Sequence, residues 1–99
     1  MIVRIVKMTF LPGNEEKFLE IFEVVNSKIR EFDGCISLKL FRESGRPNVY
    51  FTYSHWQSDA HLNHYRNSKL FKETWLQTKA LFHSKAEAWS LEEVPNFSE

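Results

Sequence analysis

The 99-residue chain has one cysteine, three glycines, three prolines and no excess of either charge, with 13 basic residues against 13 acidic ones. Each scarcity removes a class of explanation. A lone thiol, Cys35, has no partner for an internal disulfide, which fits a reducing compartment and a cytoplasmic location. Three glycines, each reading as a turn, leave no glycine-rich loop to cradle a phosphate. Balanced charge without a long run of one sign gives no field to attract nucleic acid or an anionic membrane, so neither is expected as a partner. No stretch reaches about 18 uninterrupted apolar residues, so no membrane-spanning helix is expected. The opening Met1-Ile2-Val3-Arg4-Ile5-Val6-Lys7 is too short and too interrupted by charge to read as a signal peptide.

Aromatic residues are plentiful: 15% of the chain, nine of them Phe. A domain of this size hides only about two-thirds of its unfolded surface, so its core is thin. Large apolar side chains therefore outnumber the places to bury them, and a homodimer is the first expectation.

Residues 2–10 alternate as a β-strand, with Val3, Ile5, Lys7 and Thr9 on one side and Ile2, Arg4, Val6, Met8 and Phe10 on the other. Both sides are largely apolar, which predicts a central strand. Pro12-Gly13-Asn14 breaks it, and Asn14 is placed to cap a helix that opens with Glu15 and Glu16. Phe18, Ile21, Phe22, Val25, Ile29 and Phe32 then recur at spacings of three and four, a helical stripe ending near Glu31 and Gly34. Residues 35–43 and 48–56 read as strands joined by a turn over 43–47. A short helix opens at Ser58 or Asp59 and runs to about Tyr65, a longer one spans Ser68 to Phe82, and a last strand covers 84–92. Residues 1–92 thus form one domain, followed by a tail over 93–99. The order is β-α-β-β-α-β, an α+β, ferredoxin-like fold with its helices on one face of an antiparallel sheet. The other face, rich in large side chains, is left bare, and two such sheets stacked together would cover it.

One stretch is dense enough in hydrogen-bonding and aromatic groups to mark a site. Between Trp56 and Trp75 lie Asn63, His64, Tyr65 and Phe71. Trp56, Phe71 and Trp75 can stack on a planar substrate or simply fill the core. Tyr65 can hydrogen-bond a substrate oxygen, and His64 has the unperturbed basicity of a general base. Asn63 and Asn67 can position a carbonyl or cap a helix. His55, His61 and His64 have no thiolate or carboxylate at ligand spacing, so no metal site is expected. Arg4 and Arg42 can meet a substrate anion, although an ion pair with Glu87 is the commoner arrangement for a strand arginine. Cys35 reads as a small buried hydrophobe.

Several short segments, in order, carry a resemblance. The opening strand, Pro12-Gly13 before an acidic helix start, Phe32-Asp33-Gly34-Cys35, Phe51-Thr52-Tyr53-Ser54-His55-Trp56, Ser58-Asp59-Ala60 and Leu70-Phe71-Lys72 resemble the antibiotic-biosynthesis-monooxygenase-like domains. The resemblance implies a dimeric α+β barrel with a pocket between each sheet and its helices. It also implies a family that includes monooxygenases of phenols or quinols needing no cofactor, haem-degrading members and members without known activity. The haem-degrading pattern of Asn, Trp and His falls here on Val6, Tyr65 and Trp75, so haem ranks last. Where many relatives carry a histidine, six residues before Phe71, this chain has Tyr65, with His64 adjacent. The expectation is a cofactor-independent monooxygenase of a small aromatic molecule, with Tyr65 and His64 handling protons and Trp56, Asn63, Phe71 and Trp75 holding substrate. The alternative is a binding or sensing module with the same pocket and no turnover.

Overall fold

The computed structural model describes residues 1–97. Its elements are β1 (Ile2–Thr9), α1 (Glu15–Arg30), β2 (Cys35–Arg42), β3 (Val49–Trp56), α2 (Asp59–Arg66), α3 (Lys69–Lys79) and β4 (Glu87–Leu91). The sheet runs β2-β3-β1-β4 and every pairing is antiparallel. β1 and β3 are central, β1 as its two-sided apolar pattern predicts, and the second helical region is divided into α2 and α3.

Local chemistry explains the breaks. Ser58 and Ser68 each sit in extended backbone, and their hydroxyls accept from the amides of His61 and Phe71, starting α2 and α3 separately. Asn14 does not cap α1 as expected. Its amide donates to the Leu81 carbonyl at 3.3 Å, and the Glu15 carboxylate accepts from the Gly13 amide at 2.8 Å instead. Gly34 has φ +88° and is buried, and a Cβ there would run into the His61 side chain, so both the turn and the close approach require glycine. The last helix ends three residues early and the last strand starts three residues late. The cause is tertiary: Leu81 accepts from the Leu11 amide, Phe82 bridges to Phe10, and His83 donates to Thr9, so this backbone extends the rim of β1 rather than the helix.

The α1 stripe packs onto the even-numbered side of β1. Two clusters result. One gathers Ile2, Ile29, Leu38, Trp56, Leu62 and Tyr65; the other gathers Met8, Phe10, Phe18 and Tyr50. Among the described residues no helix covers the opposite sheet face. Ile5 and Tyr53 lie at its centre beside Trp89, with Phe41 and Leu91 nearer the edges. Phe41 is 50% exposed, Leu91 45% and Trp89 43%. Among the described residues no helix is long and apolar enough to cross a membrane.

Candidate active site

Between the two core clusters lies a cavity of about 290 Å³, near the lower end of the usual range for ligand pockets, about 300–1,000 Å³. Its floor is the sheet, where Val6 of β1 lies between Thr52 of β3 and Ala88 of β4 in one cross-strand row. Small residues at Ala86 and Ala88 leave the space open. The roof is the α1 stripe, with Phe22 and Val25 at its middle.

One wall is aromatic and continuous. The Trp56 and Tyr65 rings stack at 4.8 Å, Tyr65 meets Phe71 edge-on at 5.3 Å, and Phe71 stacks on Trp75 at 5.9 Å with rings 10° apart. Tyr65, Phe71 and Trp75 recur on the inward faces of α2 and α3, and Trp56 ends β3 beneath them. Trp56 is nearly inaccessible, its indole N–H donating to the Ser54 hydroxyl at 3.0 Å. The structure brings these four residues together, and all four line the cavity.

The other two candidates are elsewhere. His64 is exposed, with its ring packed edge-on against Phe32 at 5.5 Å, outside the cavity lining. Asn63 is also exposed, and its carbonyl accepts from the Asn67 side chain at 2.8 Å at the end of α2. A helix turns about 100° per residue, and Asn63 and His64, two and one positions before the inward Tyr65, fall on the side of α2 that faces away from the cavity. The remaining histidines of the stretch also diverge. His55 bonds Ser37 at 2.9 Å on the open sheet face, and His61 bonds Ser58 at 2.7 Å beside Asp33. Among the described residues no three His, Cys, Asp or Glu side chains gather as metal ligands.

The titratable groups of the lining are Arg4, Tyr65 and Arg66. Burial pushes the Tyr65 phenol well above its ordinary range, and the nearby Cys35 adds to the shift, which favours the protonated form. Burial also raises the Cys35 thiol, which the neighbouring Arg30 partly offsets. Arg4 is held below its usual range, first by burial and then by the like charge of Arg66. The expected Arg4–Glu87 pair does not form. Glu87 lies on the opposite side of the sheet and pairs with Lys7 at 3.7 Å, while Arg4 faces Ser90 and donates to its hydroxyl at 2.9 Å. Arg66, at the last turn of α2, was not singled out by any periodicity. Its place at the cavity is set by the break between α2 and α3.

No curated protein sequence matches the chain closely enough to count as a relative. Among solved structures, an antibiotic biosynthesis monooxygenase superposes with a TM-score of 0.90 at 18% identity, over 96% of this chain and 100% of that one. A conserved protein from Methanosarcina mazei Go1 gives 0.89 at 18% identity, over 95% and 94%. At these identities the structures establish the fold. The model of the antibiotic biosynthesis monooxygenase family matches residues 1–75, from β1 to Trp75 on the cavity wall, and the chain belongs to that family.

Proposed function

We propose that the chain is a cofactor-independent monooxygenase that takes a small phenol or quinol into the cavity between its sheet and helices. The observation that carries this reading is the unbroken aromatic wall from Trp56 through Tyr65 and Phe71 to Trp75, facing a space the size of one or two rings. A planar ring inserted there exchanges water for aromatic contact on its face. The protonated Tyr65 hydroxyl is suited to donate to an oxygen that gains negative charge.

The chemistry needs an ionised substrate more than it needs the protein. A phenolate passes one electron to dioxygen, and superoxide then joins the ring radical through a new C–O bond at a ring C–H. The resulting ring peroxide takes a proton to become a hydroperoxide. Its ring C–H then gives up a proton as the O–O bond breaks, so that a quinone forms and hydroxide leaves with that proton as water. One oxygen atom ends in the carbonyl and the other in water, with the substrate as sole reductant. Among the described residues the lining holds neither carboxylate nor imidazole, so in this proposal the substrate's own acidity sets the fraction ionised.

Oxygen uptake by the purified protein with a series of naphthols, anthrones and quinols tests the proposal. The expected result is one dioxygen consumed per quinone formed, with a rate that rises as pH passes the substrate's own pKa. His64→Ala should leave that profile unchanged. Uptake no faster than in buffer for every compound would overturn the monooxygenase reading. It would leave the second reading, a binding module, which the missing base favours; that module would stabilise against heat with a ligand recovered unchanged.

The open sheet face belongs to the same proposal. Two copies would stack these faces about a two-fold axis, covering Phe41, Trp89 and Leu91.

A further inference from the structure

We infer that the cavity recognises an aromatic carboxylate, with the ring against Phe71 and Trp75 and the anionic head held by Arg4 and Arg66. The inference rests on the proposed reading of the cavity as a ligand site, and it specifies the charge of what enters.

Two guanidinium groups open onto one largely apolar space, and among the described residues its lining contains no carboxylate to neutralise them. Ion pairs elsewhere join Lys7 to Glu87, Arg46 to Glu43, Lys69 to Glu73 and His61 to Asp33, and among the described residues none involves Arg4 or Arg66. The contrast within β1 is informative. On the open face, β4 supplies Glu87 opposite Lys7; on the cavity face, it supplies Ser90 opposite Arg4. The Ser90 hydroxyl accepts a hydrogen bond from Arg4 Nη1 at 2.9 Å and fixes the side chain without cancelling its charge. The rest of the five-donor fork remains available, in the planar arrangement that matches a carboxylate bidentately.

A half-buried cation beside a second cation is unfavourable on its own account, as the depressed Arg4 basicity records. An anion between the two relieves both desolvation and repulsion. Arg66 is an exposed residue that also lines the cavity, which fits a place at the mouth, while Arg4 is half-buried in the floor. A ligand entering ring-first would leave its head group between them. The volume limits the body to one or two rings.

Calorimetric titration with 2-naphthoate and its uncharged counterpart 2-naphthol at neutral pH tests the inference. Naphthoate should bind at least about tenfold more tightly, since hydrogen bonds to charged groups are the stronger class. Arg66→Met and Arg4→Met should each remove most of that preference, naphthoate affinity falling far more than naphthol affinity, and added salt should weaken naphthoate more than naphthol. Arg66 is exposed, so its replacement spares the core even if Arg4→Met fails to fold, which circular dichroism would reveal. Equal affinity for the two probes, or a preference that survives Arg66→Met, would overturn the carboxylate inference and leave the cavity reading standing. Binding of neither probe would overturn both.

Discussion

Replacing Ile5 with glutamate is expected to convert a dimer into single chains of 11.8 kDa at micromolar concentration, with secondary structure intact. Ile5 sits at the middle of β1, between Tyr53 on β3 and Trp89 on β4, with no basic residue directly opposite on either strand. In a separate chain the new carboxylate faces water and costs little. In a stack of two sheets it is buried, and two-fold symmetry brings a second copy with it. Burying unpaired charge costs several kcal/mol in practice, so a loss of at least about 3 kcal/mol, more than a hundredfold in dissociation constant, is a modest expectation. Sedimentation equilibrium reads the change directly. Wild type should give twice the single-chain mass, and Ile5→Val should too. A dimer that survives Ile5→Glu would place the interface elsewhere.

Trp56→Ala should cost about 3–5 kcal/mol, a large share of the roughly 5–15 kcal/mol that holds a small domain together. Trp56 is 1% exposed and stacks on Tyr65, in the cluster that joins β3 to α2. Truncation merges its volume with the existing cavity and leaves the Ser54 hydroxyl without its indole donor. Trp56→Phe keeps most of the packing and loses the hydrogen bond, for about 1 kcal/mol. Urea unfolding, with a shift in midpoint at constant slope, measures both. A loss under about 1 kcal/mol for the alanine variant would mean that the wall around Trp56 is looser than described.

The residues that made the fold legible are those with strict periodicity. Alternation along residues 2–10 assigned Arg4 to the same side as Val6 and Met8, and the three-four spacing from Phe18 to Phe32 produced the α1 roof. The same rules misjudged Leu81 and Phe82, which continue a helical pattern but, together with His83, bond to the end of β1 instead. In the site, Trp56, Tyr65, Phe71 and Trp75 could be grouped because each is a large inward residue of its element. His64 and Asn63 were grouped with them by nearness along the chain, which a helix does not preserve in space. The ion pair of Arg4 was misassigned for want of register. Only the β1–β4 alignment reveals that Ser90, not Glu87, lies opposite it. Arg66 carries no pattern at all, because its position depends on where α2 stops.

The most direct measurement is calorimetric titration of 2-naphthol into wild type and into Thr52→Phe. Thr52 sits in the cavity floor on β3, where an aromatic residue suits a strand and its ring projects into the empty space. Wild type should bind one naphthol per chain saturably, and the filled variant should fold normally and bind none. Undiminished binding by the folded Thr52→Phe protein would show that the ligand enters somewhere other than the space between sheet and helices.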